Sequence, residues 1–159
     1  MRKFYALICV LSLVAGGLFA KKEMSEAQKK AKAKQFVTKA VTLVKKMGTE
    51  KACAVFTNPK GGFIEGEYYI SHIAFDGKIL CHGVKPDLNG KNLWEVKDPD
   101  GVYLVQEIVK QAKTKAGEGW ASYSWPSPET KLVTPKTTFV QKIPGKDELI
   151  HVGIYLKKK

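Results

Sequence analysis

DPDGVYLVQEIVKQAKTKAGEGWASYSWPSPETKLVTPK, from Asp98 to Lys136, carries an aspartate-glycine turn, an amphipathic run, a glycine stop and two aromatic-rich or β-branched segments. Val102, Val105, Ile108, Val109 and Ala112 recur at three-to-four spacing, which predicts a helix with Asp98 or Asp100 as its N-terminal cap and Gly117 as its end. Gly119 to Trp125 then reads as a strand, Pro126-Ser-Pro128 as a turn, and Lys131 to Lys142 as a second strand. A register that pairs Trp125 with Lys136 also pairs Tyr123 with Thr138, because side chains alternate with a period of two. The four then share one face. An ammonium, a phenol, an indole and a hydroxyl around one small volume suit a small organic anion.

Working outward toward the N-terminus, Ala27, Ala31, Phe36, Val37, Ala40, Val41, Val44 and Met47 recur at helical spacing between Glu23 and Met47, with lysines in the gaps. Gly48 ends that helix, Thr49-Glu50 begins a short one carrying Cys53 and Phe56, and Asn58-Pro59-Lys60-Gly61-Gly62 forces a loop. Glu67 to Phe75 and Lys78 to Val84 flank Asp76-Gly77, the composition of a two-residue hairpin. Pairing Phe75 with Lys78 sets Ser71 opposite His82 and His72 opposite Cys81, so Tyr69, Ser71, Ile73 and His82 share one face while Cys81 and His72 point the other way. Lys85 to Lys97 is a long irregular segment of the kind that serves as a lid. Pro144-Gly145-Lys-Asp147 turns the chain into a last strand, Glu148 to Lys157. Helix, two strands, helix and three strands make an α+β fold, with helices packed on an antiparallel sheet of about five strands.

The 159 residues, 44% hydrophobic and 26% charged, suit one globular domain. Arg2 and Lys3 precede an apolar run from Phe4 to Ala20, the layout of a secretory signal over residues 1–20. The run sits at the short limit for a membrane span, so a cleaved signal is read in preference to an anchor. Export implies a periplasmic or secreted protein. There Cys53 and Cys81 either pair or stay as two buried thiols. Much of the +12 formal charge lies between Lys21 and Lys51 and in Lys157-Lys158-Lys159. In an exported chain that charge is a solvated face or meets acidic partners and anionic lipid, and no nucleic-acid partner is expected.

The residues that bear chemistry do not assemble into a catalytic or metal motif. There is no Gly-x-Ser-x-Gly elbow, no phosphate-binding glycine loop and no His-Glu-x-x-His helix, and Asp98 and Asp100 suit a turn better than acid-base work. His72, His82, His151, Cys53 and Cys81 have no recognised ligand spacing, although Cys53, Cys81 and His72 can converge through folding. No enzyme activity, cofactor or metal is expected.

Asp98-Pro-Asp-Gly101, Gly117-Glu-Gly-Trp120, Tyr123, Trp125-Pro126 and Pro135-Lys136, together with Asp76-Gly77, Cys81-His82-Gly83 and Gly90-Lys91-Asn92, resemble the extracytoplasmic single Cache domain (type 2), a PAS-like sensor of small molecules. The resemblance covers residues 48–156 and leaves 21–47 as the domain's N-terminal amphipathic helix. It implies a binding module for a small carboxylate or amino acid, held between sheet and lid by Tyr69, His82, Trp120, Tyr123, Trp125 and Lys136, with Trp94 at the mouth. Trp94 stands where resembling sequences more often carry an aliphatic residue, and Phe139 replaces a common tyrosine. Each aromatic also reads as an ordinary core residue, Lys136 as an exposed strand lysine, and His82 as a structural histidine. Related receptors report to an attached signalling module. None follows here, which implies a carrier role or a membrane receptor as partner. A Cache-like scaffold that docks an acidic partner or membrane through its Lys-rich helix is the competing reading.

Overall fold

Ser25 opens the first helix with a reciprocal cap: its Oγ accepts from the Gln28 N–H at 3.3 Å, and Gln28 Oε1 accepts from the Ser25 N–H at 2.9 Å. The computed structural model describes residues 23–156, so the signal segment and the Lys157 to Lys159 cluster lie outside the described residues. Helix α1 spans Glu26–Met47, and Gly48, at φ +82°, ends it and leads directly into α2, Thr49–Thr57. The buried stripe of α1 is Ala33, Phe36, Val37, Ala40, Val41 and Val44. Ala27 and Ala31, expected in that stripe, are exposed, because steps of three or four back from Phe36 reach Ala33 and then Lys29 or Lys30. Lys29 and Lys32 pair with Glu67 and Glu65, which neutralises part of the helix's charge inside the molecule.

Strands β1 (Ile64–Glu65) and β2 (Tyr68–Tyr69) form a small ribbon. Strands β3 (Ser71–Ala74), β4 (Ile79–His82), β5 (Glu118–Pro126), β6 (Val133–Lys142) and β7 (Glu148–Tyr155) form one antiparallel sheet in the order β4-β3-β7-β6-β5. This is the expected PAS-like α+β arrangement. The single strand expected from Glu67 to Phe75 is divided at Ile70, since β2 pairs with β1 whereas β3 pairs with β4 and β7. Helices α1 and α2 cover one face over Phe56, Ile70, Phe139, Ile150, Val152 and Ile154. Helix α3, Leu104–Ala112, covers the other over Ile73, Ile79, Tyr123, Val140 and Leu149.

Both hairpins depart from the simple registers. In the first, Ser71 does face His82 and His72 faces Cys81, but the register slips by one before Ile73, which faces Ile79. Ala74 exchanges backbone hydrogen bonds with Lys78 and Gly77, and Gly77 takes φ +94°, so the turn has three residues and a bulge near Leu80 absorbs the extra one. In the second, Tyr123 faces Lys136, Trp125 faces Thr134 and Ala121 faces Thr138, two residues away from the expected pairing. A shift of two leaves every side chain on its expected face.

The loop before α3 is not a cap. Helix α3 starts only at Leu104, without a side-chain cap, and ends at Ala112, well before Gly117. Asp98 is instead buried and works as a clasp: Oδ1 accepts from the Asp100 and Val102 N–H groups and Oδ2 accepts from the Ser124 N–H at 2.7 Å. Asp100 accepts from the Ser124 hydroxyl at 3.0 Å. The Asp-Pro-Asp-Gly motif therefore fastens the loop to the free edge of β5.

At the other edge of the sheet a disulfide joins Cys53 of α2 to Cys81 of β4, with Cα atoms 5.7 Å apart and a sequence separation of 28. Closing a loop of that length restricts the unfolded chain by roughly 3 to 4 kcal/mol. The double substitution Cys53→Ser, Cys81→Ser is expected to lower stability by about that amount in urea unfolding. A change under about 1 kcal/mol would show that the unfolded chain is restricted by other means.

Candidate functional site

Alternation along β3, β4, β5 and β7 brings the polar groups of one sheet face into two rows. Ser71 lies between His82 of β4 and His151 of β7, and Lys136 of β6 lies between Tyr123 of β5 and Tyr155 of β7. Beside the first row is a cavity of about 20 Å³, the space of a single water site. Ser71, His82 and His151 form its polar wall, Tyr123 and Trp125 its aromatic wall, and Leu93 reaches it from the Lys85 to Lys97 segment. Its apolar floor includes Leu104, Val105 and Ile108 of α3. Ser71 Oγ is buried and has no hydrogen-bond partner among the described residues. That is a polar group at a cavity wall in need of one.

Lys136 is the most unusual residue of this face, because its side chain is 2% exposed and no carboxylate among the described residues forms an ion pair with it. Its Nζ donates to Tyr69 Oη at 2.6 Å and lies 3.4 Å from Tyr155 Oη, with both phenol rings within 5 Å. Tyr69 and Tyr155 Oη are 3.1 Å apart, and Tyr155 donates to the Pro126 carbonyl at 3.0 Å. The protons therefore run in one direction, from Lys136 to Tyr69, Tyr155 and Pro126. Gly153 makes the path possible: a Cβ there would stand 1.9 Å from Lys136 Cε. Burial pulls the Lys136 amine down to about 7, with Glu67 opposing the shift and Lys85 adding to it.

The histidines feel the same field. His82 Nδ1 accepts from the Val84 and Lys85 N–H groups, which leaves Nε2 as the donor of the neutral ring. Burial, then the charges of Lys136 and Lys85, lower His82 to about 3. Burial and Lys136 hold His151 well below the ordinary histidine range, and its Nδ1 is 3.0 Å from Thr138 Oγ1. Near neutral pH the site thus holds two neutral imidazoles and one amine poised to carry charge. The His82 ring lies 4.9 Å from Tyr69 and 6.5 Å from Trp125, and Lys85 Nζ lies 4.7 Å over the Trp125 ring.

Of the positions named from the sequence, His82, Tyr123 and Trp125 line the cavity, and Tyr69 and Lys136 form the hydrogen-bonded pair of the neighbouring row. Trp94 does not line it. It packs against Gly77, and its carbonyl accepts from Gln106 Nε2, while its neighbour Leu93 faces the cavity. Trp120 lies on the opposite face, 5.3 Å from the Phe139 ring and beneath Lys30 of α1, because it stands at odd separation from Tyr123 and Trp125 on one strand. The Lys85 to Lys97 segment is tied to the outer edge of β4: Ile79 donates to the Lys91 carbonyl, Gly90 to that of Ile79, and the His82 N–H to Asn89 Oδ1. His151 and Tyr155 were missed, although their even separation from Leu149 on one alternating strand carried the signal.

A lysine whose folded pKa is depressed costs stability wherever it is charged in the folded protein, and the cost fades as pH rises from about 7 toward the unfolded value. Replacement of Lys136 by Met should therefore stabilise the domain by roughly 1 to 4 kcal/mol near pH 6 and by much less near pH 10, read from urea unfolding at both values. An equal gain at both would place the charge in water.

Comparison with known proteins converges on one family. Over 82 residues, 52% of this chain, the sequence is 30% identical to the sensor histidine kinase MctS of Rhizobium johnstonii. The chain spans less than a fifth of the length of the curated relatives it matches, 17% in that case. Its fold is similar to the periplasmic sensor domain of a chemotaxis protein, with TM-score 0.71 and 23% identity over 82% of this chain and 97% of that one. It is also similar to a Cache chemosensory domain solved for carboxylic acid recognition, with TM-score 0.66 and 21% identity over 85% and 100% of the two chains. The description Single Cache domain 2 matches residues 18–158, and the chain belongs to that family of sensor domains.

Proposed function

We propose that this Cache domain binds a small organic acid or amino acid by its carboxylate, that Lys136 supplies the charge, and that Ser71, His82 and Tyr123 orient the ligand. The observation that carries the reading is Lys136 itself, an amine taken out of water in the row next to the cavity, opposite its wall residue Tyr123, with no carboxylate ion pair among the described residues. An anion there would recover the cost of burying the charge. The Ser71 hydroxyl and the free His82 N–H add donors, and the apolar floor favours a short chain. A carboxylic acid is larger than one water, so its entry requires Leu93, and the segment that bears it, to move outward. The related domain solved for carboxylic acid recognition supports the ligand class. Relatives that are kinases and periplasmic chemotaxis sensors support an exported domain whose liganded state is read by a membrane receptor or signalling partner.

A thermal-shift screen of short monocarboxylates and α-amino acids should find a ligand that, at a hundred times its Kd, stabilises the domain by about 2.7 kcal/mol. Lys136→Met should weaken that ligand by roughly ten- to a hundredfold, the worth of one charge-assisted bond of about 1.5 to 3 kcal/mol. Trp120→Phe, on the far face, should leave it unchanged. A screen without a responding compound, or a shift that survives Lys136→Met, would falsify this reading.

The same amine dictates the pH dependence of binding. With Lys136 at about 7, its charged fraction falls as pH rises, while His82, at about 3, stays neutral. Affinity is expected to be level below pH 7 and to fall by up to about tenfold per pH unit above it until the complex itself deprotonates. Calorimetric titration at pH 6 and pH 9 measures this, and a flat profile would remove Lys136 from the contact.

A further inference from the structure

The sheet face turned away from the cavity holds a second cluster that carboxylate binding does not use. Cys53 Sγ, Cys81 Sγ and His72 Nδ1 lie within 4.8 Å of one another, and Cys53 Sγ is 3.8 Å from Nδ1. His72 is completely buried, and its Nε2 is 2.8 Å from Glu148 Oε2. A carboxylate only accepts, so Nε2 carries the proton and the neutral ring turns the Nδ1 lone pair to the sulfurs. A disulfide has no proton to give it. With the bond closed, Nδ1 is a buried acceptor without a donor among the described residues, an arrangement that costs stability. Glu148 is itself fixed, since Thr49 Oγ1 donates to it at 2.8 Å and Lys146 Nζ at 3.4 Å. A histidine whose far N–H is held by an anchored carboxylate is oriented and made more basic for metal ligation.

We propose that Cys53, Cys81 and His72 form a redox-gated site for a thiophilic d10 cation such as Zn²⁺, closed while the disulfide stands and opened by a dithiol reductant. The reductant attacks the sulfur of Cys53, a half-buried residue, where Cys81 is buried. The disulfide bond breaks, its two sulfurs gain two electrons and two protons, and the dithiol leaves as a disulfide. The cation then displaces both thiol protons to solvent and forms two bonds to sulfur and one to Nδ1, with water in the fourth position. Zinc distances of about 2.3 Å to sulfur and 2.0 Å to nitrogen set neighbouring tetrahedral ligand atoms roughly 3.5 to 3.8 Å apart. Cys53 Sγ and Nδ1, at 3.8 Å, already meet that spacing. The sulfurs must part and Cys81 Sγ, within 4.8 Å of the ring nitrogen, must close on it, which side-chain rotation permits with Cα atoms 5.7 Å apart.

The test uses the full domain, reduced without oxygen by a phosphine that does not hold the cation, and titrated with Co²⁺. One Co²⁺ per chain should bind with thiolate-to-cobalt absorption in the near ultraviolet that Zn²⁺ abolishes, and the oxidised protein should show none. His72→Gln should weaken binding at least tenfold and Glu148→Gln by about ten- to a hundredfold, with the thiol count unchanged. Because reduction alone can loosen the fold, Zn²⁺ should also raise the unfolding midpoint of the reduced protein but not that of Cys53→Ser, Cys81→Ser. A reduced domain without the absorption, a band of full affinity in His72→Gln, or the same zinc response in the double-serine variant overturns the proposal. Carboxylate binding by the oxidised domain is unaffected by either result.

Discussion

Coverage of the five-stranded sheet on both faces is the constraint on which the other features depend. On β7, Leu149, His151 and Tyr155 face α3 and the cavity side, whereas Ile150, Val152 and Ile154 face α1. A slip of one residue would exchange those sets, driving histidine and tyrosine into the α1 core and three aliphatic residues into the polar row. Strand parity thus separates two chemistries within one domain: an amine, imidazoles and phenols on one side, and a disulfide beside a histidine-carboxylate pair on the other.

On the cavity side the difficulty is a charge without water. Among the described residues Lys136 has no carboxylate ion pair; it has two phenol oxygens and two aromatic faces, which partly replace hydration and leave the amine's proton loosely held. Gly153 is the backbone counterpart of that choice, since any side chain there would occupy the lysine's path across β7. Burial of the amine without an ion pair among the described residues costs stability by itself.

The walls of the site are held from outside the sheet. Asp98 fastens the loop before α3 to the edge of β5, and Asn89, Gly90 and Lys91 fasten the Leu93 segment to the edge of β4. The disulfide then joins β4 to α2, so the strand that carries His82 is held by α2 as well as along its outer edge. Beyond that edge, the Leu93 N–H donates to the Gly77 carbonyl, Asn92 Nδ2 donates to that of Asp76, and the Trp94 carbonyl accepts from Gln106 of α3, so turn, strand and helix all hold this wall.

Much of this was legible in the order of residues. The element sequence, the five-stranded antiparallel sheet, the face shared by Tyr69, Ser71 and His82, and the face shared by Tyr123 and Lys136 all follow from alternation and spacing, which are set by neighbours along the chain. The expectation that grouped Trp120 with Tyr123 and Trp125 violated the strand's parity, so its place on the α1 face was also readable. What only the tertiary structure decided was partnership: that Tyr123 rather than Trp125 stands opposite Lys136, that a bulge near Leu80 shifts the first hairpin, that Asp98 clasps β5, and that Cys53, Cys81 and His72 meet. Partnership depends on turn geometry and on the packing of elements far apart in the chain. Periodicity assigns a residue to a face, and only the closed fold assigns it a neighbour.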